Sequence, residues 1–114
     1  MTVRFDNEAF FAALNAERLS RRLNWKDVAQ EAGIQASTIS RMSQGKKPDI
    51  NGLAALLDWS NLKAEMFVRG SKAPEALPIS RITALLRADP SLTADNARVL
   101  ERIIHTTYET LRET

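Results

Sequence analysis

Apolar positions along the chain recur three and four residues apart almost throughout, and no stretch alternates for long enough to make a strand. The first run carries Phe10, Phe11, Leu14 and Leu19, and Asp6 or Asn7 can cap it. A second, short helix is predicted over residues 25–32, with Asn24 as its cap. A third covers residues 36–44 and stops at Gly45, a residue free to take the left-handed conformation. Pro48 followed by Asp49 or Asn51 opens a fourth, whose apolar face holds Leu53, Leu56, Leu57 and Trp59. A fifth, short helix follows Asn61 and uses Leu62, Met66 and Phe67. One Gly, one Ser and two prolines in "RGSKAPEALP" mark residues 69–78 as a linker. Two more helices are predicted beyond it, over residues 79–88 and 93–113, separated by "DPS". The pattern therefore predicts an all-α chain with five helices in residues 1–68 and a two-helix extension in residues 79–114.

The second and third helices form a pair with more specific demands. Two short helices crossing at a steep angle need a small residue where they meet, and Ala29 stands there. The turn between them needs a residue tolerant of positive φ, which Gly33 supplies. Val28, Ala32, Ile34, Ile39 and Met42 fall at the offsets that such a pair buries. Gln35, Ala36, Ser37, Thr38, Ser40 and Arg41 are left on the outer face of the third helix. These side chains are short or hydrogen-bonding, and they suit close approach to base edges and phosphates in a major groove.

Charge sharpens this picture only through its distribution. The net charge of the 114 residues is +2, but residues 1–72 carry 11 basic and 8 acidic side chains, whereas residues 73–114 carry 5 and 6. The basic excess thus sits in the first part, and "GKKP" concentrates it in the loop after the third helix. The absence of cysteine excludes disulfides, thiolate metal sites and cysteine nucleophiles. A single histidine, no Gly-x-Ser-x-Gly elbow, no phosphate-binding loop and no metal-ligand cluster argue against an enzyme, and no cofactor or metal is expected. The start, "MTVRFDNEAFFAAL", has acidic residues within its apolar part, unlike a secretory signal. No apolar run approaches the roughly 20 residues of a membrane span. A cytoplasmic location without membrane contact is the expectation.

The stretch "VAQEAGIQASTISRMSQGKKPD" with the following "LAALLDW" resembles the lambda-repressor-like helix-turn-helix family, the phage repressor and Cro type, also called the xenobiotic-response-element type. The resemblance covers roughly residues 10–68 and includes the order of five helices. It implies a sequence-specific transcriptional regulator, in the first place a repressor, that binds double-stranded DNA at an inverted repeat as a homodimer. Carried over residue by residue, it places Ala36, Ser37 and Arg41 at base-reading positions. Gln35, Thr38 and Ser40 match positions that support those contacts or touch phosphate, and Gln44, Lys46 and Lys47 match the backbone-binding end and loop. The family often has glutamine at the first position of helix two, where this chain has Trp25. Two roles fit Trp25: an indole donor to phosphate, or a ring packed over the junction of helices one and two. Glu17 stands where the family commonly has an apolar residue.

Several other charged groups read as structural. Arg18, Arg21 and Arg22 complement the dipole at the end of the first helix, with a DNA-backbone contact as the other possibility. His105 has Glu101 and Glu109 one turn to either side and reads as an exposed ion-pair partner. Trp59 and Phe67 read as core or interface.

The last helix carries an apolar stripe of Ala97, Leu100, Ile104, Thr107 or Tyr108, and Leu111, widened by Val99 and Ile103. Ile79, Ile82, Leu85 and Leu86 make a matching stripe on the helix before it. This pair either completes the monomer's core or dimerises, with Leu100, Ile104, Tyr108 and Leu111 as the dimer contacts. The alternative to a self-contained regulator is an antitoxin or protease-regulated repressor whose C-terminal helices bind a protein partner.

Overall fold

A computed structural model describes residues 2–72 and 74–113. The described chain is mostly helical, as the three–four spacing requires, with no helix long and apolar enough to cross a membrane. In chain order it contains β1 (Arg4–Phe5), α1 (Asn7–Ser20), α2 (Trp25–Ala32), α3 (Ala36–Ser43), α4 (Ile50–Ser60), a 3₁₀ turn (Ala64–Phe67), β2 (Val68–Arg69), α5 (Pro78–Ala88) and α6 (Ala94–Arg112). It divides into two compact units, residues 1–72 and 73–114.

Two expectations are corrected in the first unit. The fifth helix is a four-residue 3₁₀ turn, too short for α-helical nucleation to reward it. Two short strands also exist: β1 pairs antiparallel with β2, Arg4 opposite Arg69 and Phe5 opposite Val68. Arg69, counted above as the first linker residue, thus belongs to the ribbon. Two-residue strands leave no alternation to detect, and what holds them is aromatic. Phe5, Phe10 and Phe67 cluster with ring centroids 5.1–5.9 Å apart, and the Asp6 N–H donates to the Phe67 carbonyl at 2.7 Å.

The helix starts are set by side-chain caps that satisfy otherwise orphaned N–H groups. Asp6 accepts from the Ala9 N–H at 3.0 Å, Asp49 from Gly52 at 3.1 Å and Thr93 from Asn96 at 3.1 Å. Asn24 forms a reciprocal capping box with Asp27. The ends of α1, α2 and α3 share one geometry. Leu23 N–H donates to Arg18 C=O, Ile34 to Ala29 and Lys46 to Arg41, each closing a six-residue loop around a left-handed residue. Those residues are Arg22 (φ 59°), Gly33 (φ 75°) and Gly45 (φ 89°). A Cβ on Gly33 would meet nothing within 4 Å, so backbone conformation rather than crowding selects glycine there.

The core of the first unit is built wholly from its own residues. Phe10, Leu14, Val28, Ala29, Ile39, Met42, Leu56, Trp59 and Phe67 are buried together, with Ala32 and Ile34 packed against them. In the second unit α5 and α6 pack on each other, yet Ala97 is the only buried residue described. Arg87 forms a two-pronged ion pair with Glu101, its Nη2 at 2.9 Å from Oε2. The hydrogen bond from Arg87 holds the Glu101 carboxyl below its ordinary range. The expected Glu101–His105–Glu109 set does not form, because Arg87 takes Glu101 and Arg112 takes Glu109. Guanidinium forks outcompete an imidazole for carboxylates.

Candidate nucleic-acid interface

At 3.6 residues per turn, Ile39 and Met42 turn α3 toward the core, and Ala36, Ser37, Ser40, Arg41 and Gln44 fall on the opposite side. All five of these are exposed, as is Gln35 before the helix. Thr38 lies on the flank and is half-buried, its methyl 3.6 Å from where a Gly52 Cβ would stand. Thr38 thus stands at the edge of this face, with its methyl turned toward α4. The Ser40 hydroxyl donates back to the Ala36 carbonyl at 3.3 Å and Ser37 to the Gln35 side chain at 3.4 Å. Both hydroxyls retain lone pairs for an outside donor. Arg41 makes no ion pair among the described residues, so its five donors are available.

The loop beyond α3 is held by backbone and by one buried side chain. Gly45 and Lys46 N–H groups bond back to Met42 and Arg41, which ends the helix sharply. Asn7, buried at the start of α1, donates its Nδ2 to the Lys46 carbonyl at 3.2 Å. Lys46 and Lys47 are exposed and unpaired among the described residues. Sequence context offers Asn7 only as a possible cap, and nothing in it marks a bond to a residue 39 positions away. Asp6 does the capping instead.

Trp25 shows the packed alternative. Its ring stacks on Phe11 at 5.0 Å with an interplanar angle of 20°, and the Arg18 guanidinium lies 4.9 Å from its centroid. Arg18 also donates to Asn15 and to the Leu23 carbonyl. Arg21 pairs with Glu17, donates to the Trp59 carbonyl at 2.9 Å and covers the Trp59 ring. Both arginines thus tie α1 to its neighbours, which explains why a charge at Glu17 is tolerated where an apolar residue would pack. Trp59 donates its Nε1–H to Glu31 at 3.0 Å. Among the arginines that end α1, only Arg22 is left unpaired among the described residues.

Compared with known proteins, the chain matches no family model and no curated protein. The functional reading consequently rests on the residues and their geometry.

If Lys46 and Lys47 bind phosphate, replacing both by alanine should weaken binding to every duplex alike, because such contacts position without reading sequence. Each lost contact should flatten the log–log salt dependence of the binding constant by about 0.9. Fluorescence anisotropy titrations at several salt concentrations measure that slope, and an unchanged one would take the loop off the DNA.

Proposed function

We propose that this chain is a sequence-specific double-stranded DNA-binding transcriptional regulator, a repressor that meets an inverted-repeat operator as a homodimer. In this reading residues 1–68 form a lambda-repressor-like helix-turn-helix domain, and α3 enters the major groove. Ala36, Ser37 and Arg41 read bases, while Gln35, Ser40, Gln44, Lys46 and Lys47 hold the backbone. The observation that carries it is the outer face of α3. It is narrow, made mostly of small or hydrogen-bonding side chains, and it carries an unpaired arginine, followed by a loop with two exposed lysines whose backbone is braced at Lys46. A face built for packing alone would have larger apolar groups there. The exposed apolar side chains of the second unit favour a protein contact in addition.

Arg41→Ala tests the assignment. A guanidinium bidentate to guanine O6 and N7 gives about 1–3 kcal/mol of discrimination, so the variant should lose that much on the preferred site and accept any base at one position per half-site. Equal losses on preferred and random duplexes would reassign Arg41 to phosphate.

A further inference from the structure

We infer that Asn7, at the start of α1, is a positioning residue of the candidate interface: its amide holds the loop after α3 so that Lys46 and Lys47 meet phosphate. The inference rests on the reading of that loop as a phosphate contact, and it starts from an imbalance. Asn7 is 8% exposed, and its side-chain oxygen has no hydrogen-bond partner among the described residues. The Lys46 carbonyl can only accept, so Nδ2 must face it, and turning the amide over would set oxygen against oxygen. The Oδ1 atom is therefore locked where nothing donates to it. A buried acceptor left unsatisfied costs stability, and a leucine of similar shape would avoid that cost. Nor is the amide needed as a helix cap, since Asp6 already accepts from the Ala9 N–H. What asparagine contributes at this position is the donor to the loop.

The loop has little else to hold it. Gly45, Lys46 and Lys47 are exposed. Gln44 and Gly45 border a cavity of about 530 Å³ together with Phe11 and Met42, so packing beneath the turn is thin. The Gly45 and Lys46 N–H groups bond back to α3, the helix that carries the loop. Among the described residues, the Asn7 bond is thus the one hydrogen bond that ties the loop to another element. Gly45, at φ 89°, is a residue about which the chain could otherwise pivot. The bond acts at a useful place. A peptide unit is planar, so holding the Lys46 carbonyl fixes the plane that joins the two lysines. Side chains carried by a fixed backbone lose less freedom on binding than those on a pivoting loop.

Two measurements on the full chain test the inference. The variant is Asn7→Leu, with Asn7→Ala in its place if helix content falls. Without DNA, amide hydrogen exchange followed by NMR should show the Lys46 N–H exchanging roughly fivefold or more faster than in the wild type. The Ile34 N–H closes the same turn geometry after α2 and should keep its rate. With a random-sequence duplex, the variant should flatten the log–log salt slope by about 0.9, one phosphate contact, and bind roughly five- to tenfold more weakly at about 0.1 M salt. Added to Lys46→Ala with Lys47→Ala, Asn7→Leu should change neither slope nor affinity further.

Unchanged exchange at Lys46, or an equal rise at Ile34, overturns the inference. A further loss in the double-alanine chain overturns it as well, because Asn7 would then act through something other than the lysines. Failure of both variants to fold would make Asn7 a residue of the core and have the same consequence. If the two alanines flatten the salt slope and Asn7→Leu does not, only the inference falls. If neither change flattens it, the loop is off the DNA, and the reading beneath the inference falls with it.

Discussion

A chain ending at Lys72 should stay folded, bind a single half-site nearly as well as the full chain, and bind the whole inverted repeat about 100- to 10,000-fold more weakly. The first half of that expectation comes from packing. Every residue of the main core lies between Phe10 and Phe67, and the ribbon that brings Phe5 to Phe67 is complete at Arg69. The apolar side chains packed against that core also belong to residues 5–62. The second half comes from linkage. Two recognition helices must reach major grooves about 34 Å apart along the duplex. When the chains are joined, the second half-site is met at a high effective concentration rather than from bulk solution. Gel-shift titrations against a full repeat and a single half-site measure both affinities. Equal loss on the two would mean that the second unit touches DNA or supports α3, rather than joining two chains.

Phe10→Ala should be the most damaging single change in the first unit, costing about 3–5 kcal/mol. Phe10 has no exposed surface, sits 5.5 Å from Phe5 and 5.1 Å from Phe67, and is the common neighbour of α1 and the ribbon. Its removal leaves a cavity at the one place where the chain's two ends of this unit meet. A small domain has only about 5–15 kcal/mol in total, so a large share is lost. At roughly 4–8 °C per kcal/mol for a domain of this size, the midpoint of thermal unfolding should drop by more than ten degrees. Leu19→Ala, on a side chain 59% exposed, should stay within about 0.5 kcal/mol of the parent. Circular dichroism melts of the Lys72-terminated chain compare them directly. A Phe10→Ala chain that melts like Leu19→Ala would place the core elsewhere.

Much of the helical order is legible in the residues, and the reasons are local. Asn24 with Asp27 three residues on, Asp49 before an apolar run, and glycines at 33 and 45 each announce a helix end through chemistry contained in a few neighbouring positions. The outer face of α3 is legible too, since it follows from the same periodicity that buries Ile39 and Met42. What escapes the sequence depends on distant partners. The ribbon is two residues per strand and exists because Phe5 and Phe67 meet Phe10. The Asn7 bond to the Lys46 carbonyl needs the tertiary fold to be imagined at all. Arg22 repeats the turn geometry of Gly33 without the glycine that would signal it. Trp25 belongs with them, since its ring packs on Phe11 and beside Arg18 of another helix, and only the tertiary fold brings those residues to it.

If α3 reads DNA sequence, as proposed, selection of bound duplexes from a random pool by the full chain should enrich a two-fold symmetric site whose half-sites are centred about 10 base pairs, one helical turn, apart. Each half should contain a guanine whose preference disappears when the selection is repeated with Arg41→Ala. A pool that emerges with no common sequence, or one whose consensus is unchanged by Arg41→Ala, would contradict it.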